Sequence, residues 1–277
     1  MERSTERRFE GRNAIVTGST QGLGRALLER LADEGLAGAI VTGRNAERGA
    51  EVVEALRQRG CDASFIAARL DDAGQVAAII EHARQRFGVV HHLANCAAVT
   101  DRGSILDTTP ELFDQMMAVN VRAPFQLIQG VAEMARANGM PASVVNIGSV
   151  VAYGGPEILA PYSISKGALM TLTTNAAFAL MRDRIRVVAV NPGWMDTPGE
   201  DVIQRKYHDG GDTWLAEAEE GMPFGRLIKP AEIVNTLAFV LSDDAGLMTG
   251  SIIDFDQTVR GAGPAPMPTE RLAGANR

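Results

Sequence analysis

Tyr162 and Lys166 stand four positions apart in a stretch that predicts a helix over 161–181. Residues four apart share one face of a helix, so the phenol and the ammonium group can converge on one site. A free tyrosine has a pKa of about 10 and is a poor base at neutral pH. A fixed cation beside it favours the phenolate and lowers that pKa. The pair therefore predicts a proton-transfer site, although helix surfaces also carry such pairs by chance.

Two other polar residues strengthen this prediction. Ser149 follows a predicted strand, 143–147, and its hydroxyl can donate to a substrate oxygen. Asn120 interrupts the apolar run 116–121, where a capping amide is the alternative to a role at the site.

A glycine-rich turn, Thr-Gly-Ser-Thr-Gln-Gly-Leu-Gly at 17–24, follows the first predicted strand, 13–17. Gly18 can adopt the backbone conformation of a tight turn, and Gly22 lets the main chain approach a pyrophosphate. The helix predicted over 23–34 then presents free N–H groups and a positive dipole end to the phosphates. The spacing differs from the GxGxxG fingerprint. A surface turn without a ligand is the alternative, but ligands bind at the strand ends of βαβ sheets.

The second predicted strand, 39–42, is followed by Gly43 and Arg44. An acidic residue at this place would bind the ribose 2′-hydroxyl of NAD. Arg44 can instead pair with the 2′-phosphate of NADP through its planar guanidinium group. A solvent-exposed arginine is the alternative. The sequence thus favours NADP, with NAD as the other possible cofactor.

Short β-branched runs alternate with amphipathic stretches along the chain, which is typical of βαβ units. We predict a single α/β domain over 1–277, with its core at about 10–256. Its fold class is a Rossmann-type doubly wound domain, with a mostly parallel seven-stranded sheet and helices on both faces. The remaining strands are predicted at 63–67, 89–95, 185–191 and 251–255, and the remaining helices at 46–59, 74–87, 110–137 (one long helix or a broken pair) and 230–241.

Two segments depart from this alternation of strands and helices. Residues 193–225 are rich in Gly, Asp and Glu and predict a long irregular insertion that serves as a substrate lid. The tail over 261–277 carries three prolines and is expected to be loosely ordered or committed to a subunit contact.

Composition narrows the classes of partner. The net charge is −7 and no block of Lys or Arg exceeds a pair, so we expect neither nucleic acid nor an anionic membrane as a partner. The charged N-terminal segment predicts no signal peptide, and no apolar run approaches the ~18 residues of a membrane span. The two cysteines are far apart, which favours a reducing cytoplasm over a disulfide framework. His91 and His92 lack partners at metal-ligand spacing, so no metal site is predicted.

Several motifs in order together resemble the compact branch of the short-chain dehydrogenase/reductases, from about Glu10 to Phe255. They are TGSTQGLG (17–24), LANCAAV (93–99), Asn120, Ser149, YSISK (162–166) and NPGWMDT (191–197). The resemblance implies a catalytic tetrad of Asn120, Ser149, Tyr162 and Lys166. In it Tyr162 exchanges a proton with the substrate oxygen, which Ser149 holds. Lys166 lowers the tyrosine pKa and binds the nicotinamide ribose, and Asn120 holds a water for proton relay.

The resemblance also implies a homotetramer, formed through the helices that contain Asn120 and Tyr162, and a set of contacts to the nicotinamide cofactor. The cofactor-binding residues are Gly18, Ser19, Thr20, Gln21, Gly22, Leu23, Arg44, Leu70, Asn95, Ala97, Tyr162, Lys166, Pro192, Gly193, Met195 and Thr197.

The chain departs from the family pattern at two places. Cys96 and Ala98 replace the second amide and the glycine of the family's Asn-Asn-Ala-Gly segment. Cys96 is interpreted as a small buried filler, with an oxidation-sensitive thiol as the alternative. Arg69 stands where the family has an aspartate for the adenine amine, and Asp71 or Asp72 is expected to take over that contact. Both departures concern cofactor affinity more than chemistry.

Substrate contacts are expected from Ser149 and Tyr162 together with Val151, Tyr153 and Trp194. Trp194 and Trp214 either form an apolar wall or close the lid. Polar residues in the lid favour a hydroxylated substrate such as a sugar or polyol; they are Glu200, Asp201, Gln204, His208, Asp209 and Asp212.

The sequence therefore predicts an NAD(P)-dependent oxidoreductase that interconverts a secondary alcohol and a carbonyl, with a small-molecule substrate. Alternatives are a 3-oxoacyl-type ketone reductase, a non-catalytic NAD(P)-binding sensor, and a lyase or dehalogenase that reuses Ser149 and Tyr162. The complete tetrad argues against the sensor, and the glycine turn argues against the lyase.

Overall fold

The computed structural model describes residues 7–208 and 211–262. Residues 263–277, which make up most of the predicted tail, lie outside the described residues. Asp209 of the predicted lid also lies outside them. Seven strands form one sheet: β1 (Asn13–Val16), β2 (Gly38–Gly43), β3 (Asp62–Ala67), β4 (His92–Asn95), β5 (Ala142–Ile147), β6 (Ile185–Pro192) and β7 (Ile252–Phe255). Their order in the sheet is β3-β2-β1-β4-β5-β6-β7, and every neighbouring pair is parallel.

Nine α-helices connect and cover these strands within the described ranges. They are α1 (Gly22–Asp33), α2 (Ala46–Arg57), α3 (Ala73–Phe87), α4 (Pro110–Met117), α5 (Ala123–Asn138), α6 (Ala160–Leu180), α7 (Pro198–Tyr207), α8 (Trp214–Glu220) and α9 (Pro230–Leu241). None of these helices is both long and apolar enough to cross a membrane.

The sheet buries both of its faces. Alternate residues of β1 point to opposite sides, so Ala14 and Val16 pack in one apolar cluster and Ile15 in the other. The first cluster contains the buried faces of α1, α2 and α9, and the second those of α3, α5 and α6. The predicted doubly wound α/β domain is thereby confirmed, with a sheet that is parallel throughout.

The strand order reverses between β1 and β4, because β2 lies on one side of β1 and β4 on the other. At such a reversal the connections leave in opposite directions and open a crevice at the carboxyl ends of the strands. The turn at 17–24 and the segment that begins at Cys96 both start at this edge.

The prediction of an irregular insertion over 193–225 was wrong, since this segment contains α7 and α8. Thr197 caps α7 by accepting a hydrogen bond from the Glu200 amide at 3.1 Å, and Pro198 is the first helical residue. Acidic side chains in the first turn and basic ones in the last turn favour the helix dipole. These signals were present in the sequence, and the richness in Gly, Asp and Glu obscured them.

The stretch 110–137 forms a broken pair of helices, which was one of the two alternatives. A π-helical turn, Ala118–Arg122, separates α4 from α5 and carries Asn120. Such turns are rare and occur frequently at functional sites.

Gly24 marks the closest contact between α1 and the turn before it. A Cβ atom at Gly24 would lie 2.7 Å from the carbonyl oxygen of Gly18. We expect Gly24→Ala to lower the free energy of unfolding by about 1–3 kcal/mol, because backbone must move to admit the methyl group. Urea unfolding followed by circular dichroism measures the change.

Gly199→Ala is the matched control for this substitution. A Cβ atom there would meet nothing closer than the Thr197 hydroxyl at 3.8 Å, so the control should be neutral or stabilise by about 0.4–1 kcal/mol. Equal stability of the two variants would contradict the close packing inferred at Gly24.

Candidate active site

The glycine turn is locked to the end of β4. Gly18 has φ +63° and Gly22 has φ +56°, in the left-handed region that glycine favours. A Cβ atom at Gly18 would lie 2.9 Å from the Cα atom of Ala97. The Thr17 hydroxyl accepts hydrogen bonds from the backbone amides of Cys96 and Ala97, both at 3.1 Å. The turn and the segment after β4 therefore form one rigid wall.

A cleft of about 380 Å³ opens along this wall. Gln21, which precedes α1, makes no side-chain cap, so the first amides of that helix remain free to bind a phosphate. Eight of the predicted cofactor-binding residues line the cleft: Gly18, Thr20, Gln21, Gly22, Leu23, Arg44, Leu70 and Ala97.

Ser19 and Asn95 take other positions. The Ser19 hydroxyl donates to the carbonyl of Val16 at 2.7 Å, and the Ser19 amide donates to the carbonyl of Thr42 at 3.0 Å. Ser19 is fully buried, holds the turn against β2 and is not among the residues that line the cleft, so its contact with the cofactor stays a prediction. Asn95 lies beneath the cleft, where its amide donates to Asn146 at 2.8 Å and its buried oxygen has no described partner.

Gly43 explains the missing acidic residue at the end of β2. A Cβ atom there would lie 2.7 Å from the methyl group and 2.8 Å from the hydroxyl of Thr20. Arg44 is exposed on the cleft wall. The guanidinium group of Arg48 hydrogen-bonds the side chain of Gln21. This second cation was not predicted, although its place in the first turn of α2 close to Arg44 is visible in the sequence.

Two acidic residues near Arg69 were expected to replace the family's aspartate. Asp71 lines the cleft, and its ion pair with Arg69 at 2.7 Å holds its pKa below the usual range. Asp72 instead caps α3 through the amides of Gly74 and Gln75. Of the two, Asp71 is therefore the one placed to meet a bound adenine.

Cys96 also lines the cleft. Burial raises the pKa of its thiol to about 12, and the charge of Lys166 opposes this only in part. Since the thiolate is the reactive form, the thiol is inert at neutral pH, in agreement with the filler interpretation.

Lys166 is fully buried between α6 and the sheet. Its ammonium group donates to the carbonyl of Ile147, the last residue of β5, at 2.6 Å. Burial lowers the pKa of Lys166 to about 8. The Lys166 Nζ atom lies 5.5 Å from the centre of the Tyr162 ring, so the predicted convergence of the two side chains is present.

Tyr162 faces Ser149 across the end of β5. Burial raises the pKa of the phenol to about 12, and a hydrogen bond with Ser149 lowers it in part. The charge of Glu200 raises this pKa and that of Arg102 lowers it. Burial outweighs the groups that lower this pKa, Ser149 and Arg102. The lowering by Lys166 that the resemblance implies stays a prediction.

Asn120 is buried and makes three hydrogen bonds. Its side-chain oxygen accepts from the Val99 amide at 2.8 Å, and its side-chain nitrogen donates to the Val99 carbonyl and the Ser165 hydroxyl, both at 3.0 Å. The side chain thus joins the π-helical turn to the segment after β4 and to α6. Through Ser165 it holds the helix segment next to Lys166, and the relay water that the resemblance implies for Asn120 stays a prediction.

The end of β6 forms the opposite side of the site. Pro192 pairs with Phe255 of β7, and Met195 forms a bridge with Ile228. The side chain of Thr197 faces Gly22, since a Cβ atom at Gly22 would lie 4.0 Å from that of Thr197. These contacts bring the segment that contains Gly193 back towards the glycine turn.

The predicted substrate residues Val151 and Tyr153 belong to one short turn, but the Tyr153 side chain is engaged elsewhere. Val151 follows Ser149 in a short 3₁₀ turn, Val150–Tyr153. The Tyr153 hydroxyl is engaged by Asp254 at 3.0 Å, and the Arg260 guanidinium lies 3.7 Å from the centre of the Tyr153 ring. The hydroxyl group of Tyr153 is therefore directed to the end of β7.

The two tryptophans stack at 6.4 Å between ring centres. Trp214 is buried and donates to Asp201 at 2.8 Å, whereas Trp194 is partly exposed and donates to Glu200 at 2.9 Å. Trp214 is thus packed inside the segment 193–225 and Trp194 lies nearer its surface, while an apolar wall and a closed lid stay the two predicted roles.

Arg102 was missed in the sequence. It lies in the polar segment after β4 and forms an ion pair with Glu200 of α7 at 3.4 Å. The backbone of Gly103 bridges to that of Leu159, just before α6, so Arg102 lies near the start of the helix that carries Tyr162, and its charge lowers the pKa of that phenol. Only the run of polar residues at 100–104 hints at this role in the sequence.

The residues present fit a nicotinamide dinucleotide. The left-handed glycines leave room for phosphates, and the buried unpaired oxygen of Asn95 offers an acceptor beneath the cleft. In the described ranges no group of three or more His, Cys, Asp or Glu is arranged to hold a metal ion.

Comparison with known proteins agrees with this geometry. The family model described as enoyl-(acyl carrier protein) reductase matches residues 18–258. A dehydrogenase/reductase SDR family member 4 from Caenorhabditis elegans is 34% identical over 253 residues, covering 89% of this chain and 94% of that protein.

Two solved structures are similar over their whole length. The L-sorbose reductase from Gluconobacter frateurii, complexed with NADPH and L-sorbose, has a TM-score of 0.82 and 26% identity, with 90% of this chain and 96% of that chain covered. A 3-oxoacyl (acyl-carrier-protein) reductase from Agrobacterium tumefaciens with NADP bound has a TM-score of 0.81 and 26% identity, with 92% and 96% covered. From the family match, the fold and the site, the chain belongs to the short-chain dehydrogenase/reductase family and is an NAD(P)-dependent oxidoreductase.

Proposed function

We propose that this protein interconverts a secondary alcohol and a ketone on a small hydroxylated molecule, a sugar or polyol, with NADP(H) as its cofactor. The observation that carries the proposal is the group of Tyr162, Ser149 and buried Lys166 at the end of β5, beside the cleft of the glycine turn.

Tyr162 is the acid/base in this proposal. Because the pKa of its phenol is raised to about 12, the phenol is protonated at neutral pH and can donate to a carbonyl oxygen. Ser149 lies within hydrogen-bond reach of the same phenol and holds that oxygen. Lys166, whose pKa is lowered to about 8, gains or loses a proton near neutral pH. It can therefore restore the proton that Tyr162 has given to the substrate.

The nicotinamide supplies the hydride when bound. The glycine turn and the free amides of α1 would hold its phosphates, and Asp71, which lines the same cleft, would contact the adenine. Pro192, Gly193, Met195 and Thr197 enclose the side opposite the turn.

Two arginines and one glycine support NADP over NAD. Arg44 is exposed on the cleft wall, and Arg48 is held beside it by Gln21. Gly43 leaves no room for an acidic side chain against Thr20. Paired guanidinium groups recognise a phosphate well, because their planar donors match its oxygens.

The polar lid supports a hydroxylated substrate. Glu200, Gln204 and Arg102 lie on the substrate side of the site, where an acyl chain would meet charge. The similar L-sorbose reductase acts on a sugar, and the similar 3-oxoacyl reductase represents the alternative substrate class. The sensor and lyase alternatives are disfavoured because acid/base group and cofactor cleft are both complete.

We further propose a cytoplasmic homotetramer. Apolar side chains are exposed on α5 and α6, the helices expected at the subunit contact; they are Phe125, Ile164 and Phe178. Cys61 and Cys96 are free thiols, which suits a reducing compartment.

Replacement of Tyr162 by phenylalanine tests the mechanism. Tyr162→Phe removes the proton donor, so we expect kcat for both directions to fall by about 10²–10⁴-fold while NADPH still binds. Steady-state kinetics on a panel of ketoses, polyols and simple ketones, with NADPH fluorescence titration, measures both quantities. Tyr207→Phe is the control. It removes a hydroxyl of the lid that is hydrogen-bonded to Asp101, and it should change kcat little. Near-normal turnover by Tyr162→Phe would refute the acid/base role.

Cofactor preference tests the two arginines. Arg44→Ser and Arg48→Ser each remove a partner of the 2′-phosphate, so we expect the KM for NADPH to rise about 10-fold or more and the KM for NADH to stay unchanged. Arg59→Ser removes an exposed arginine that binds Asp33 away from the cleft and is the control. A wild-type preference for NADH over NADPH contradicts this assignment.

The raised pKa of Tyr162 predicts opposite pH profiles for the two directions. Reduction needs the protonated phenol, which persists below about pH 12. The kcat/KM for reduction should therefore show no decrease near neutral pH that is caused by deprotonation of Tyr162. Oxidation needs the phenolate, so its kcat/KM should rise steadily with pH. Initial rates in both directions from about pH 6 to pH 10 measure this. An oxidation rate that is independent of pH over this range contradicts the prediction.

A further inference from the structure

Arg102 and Glu200 meet over the active site from two distant parts of the chain. Arg102 belongs to the segment after β4, and the hydrogen bonds from Gly103 to Ile158 and from Ala160 to Gly103 fix this segment against the start of α6. Glu200 lies in the first turn of α7. Gly103, next to Arg102, bridges to Leu159 just before the helix of Tyr162, and Thr197, which caps the helix of Glu200, faces Gly22 of the glycine turn. Both charges also shift the pKa of the Tyr162 phenol.

The contacts of this pair leave polar groups unused. One oxygen of Glu200, Oε1, accepts from Trp194 at 2.9 Å, from Gln204 at 2.7 Å and from Arg102 at 3.4 Å. The other oxygen, Oε2, has no hydrogen-bond partner within the described ranges. Arg102 donates to Thr100 at 3.0 Å and His208 at 3.2 Å, and its contact with Glu200 is long. The pair thus keeps one acceptor and guanidinium donors available.

Closing the lid does not require this pair. Asp101 already joins the same two segments through Lys206 at 2.7 Å and Tyr207 at 2.6 Å. The side chains of Arg102 and Glu200 are only 13% and 17% exposed, so the pair loses much of its hydration. Desolvated ion pairs often contribute little net stability, which argues for a role beyond holding the lid.

Resting on the proposed function, we propose that Arg102 and Glu200 form the recognition site for the hydroxyl groups of an uncharged polyhydroxy substrate. A hydroxyl donates to Glu200 Oε2 while a neighbouring hydroxyl accepts from Arg102, so adjacent hydroxyls occupy both groups. The pair is neutral overall, and Glu200 disfavours a carboxylate at this place. We therefore expect substrates of the same length that carry a carboxylate to be reduced less efficiently than neutral ones.

Three ketones with NADPH test this assignment: a neutral ketohexose, a keto-aldonate of the same chain length, and cyclohexanone. The wild-type kcat/KM should be highest for the ketohexose. Arg102→Met and Glu200→Gln should each lower kcat/KM for the ketohexose by about 10–100-fold, mainly through KM, because a buried polar partner is lost. The value for cyclohexanone should change by less than about threefold, since this ketone has no hydroxyl to recognise.

Arg205→Met is the matched control, since Arg205 also lies in α7 and binds Asp201 and Asp212 at the surface. Arg102→Lys keeps the charge but loses the planar fork, so partial loss is expected, and this variant also guards against misfolding of Arg102→Met. Equal losses for ketohexose and cyclohexanone would show that the pair acts through the lid or through the phenol of Tyr162 and does not recognise substrate hydroxyls, which overturns the assignment. A wild-type preference for the keto-aldonate would also overturn the assignment.

The two proposals fail in different ways. Turnover of cyclohexanone without preference for the ketohexose overturns the recognition site alone. Turnover of none of the three ketones with either cofactor overturns the proposed function and the recognition site together.

Discussion

The hydrogen bond from the buried Lys166 ammonium group to the Ile147 carbonyl fixes α6 against the end of β5. Leaving an ammonium group buried without a partner would be costly, so α6 is held to the one position that supplies this acceptor. Tyr162 lies one turn earlier on the same helix, and Ser149 lies two residues after Ile147. The contact therefore sets the distance between the acid/base group and the residue that holds the substrate oxygen.

Burial has opposite effects on the pKa values of the two central side chains. It raises the pKa of the Tyr162 phenol to about 12 and lowers that of Lys166 to about 8, so it favours the neutral form of both. The gap between the two values is thereby set by a common low-polarity environment. Two charges, Glu200 on α7 and Arg102 in the segment after β4, then shift the pKa of the phenol in opposite directions. The position of α7 therefore bears on the proton affinity of Tyr162.

Patterns that are local in sequence could be read without the structure. The alternation of apolar residues predicted the strands to within a few residues, and the motifs at their ends predicted the cleft and the proton-transfer group. Contacts between distant segments could not be read. The hydroxyl of Ser19 is held by the Val16 carbonyl and by the amide of Thr42, which lies on another strand. Arg102 is brought towards the start of α6 because Gly103 bridges to Leu159. Asn120 was found from its place in an apolar run, but its three bonds depend on Val99 and Ser165.

The contact between Gly43 and Thr20 restricts how cofactor preference can evolve in this chain. An aspartate at position 43 is the simplest route towards NAD, but its Cβ atom would collide with the Thr20 side chain. The Thr20 side chain has to shift, or position 20 has to become smaller, before a larger residue fits at position 43. The two positions are therefore expected to be epistatic, since a smaller residue at position 20 removes the cost of a substitution at position 43. For a population or a protein engineer, that order of steps is the less costly one.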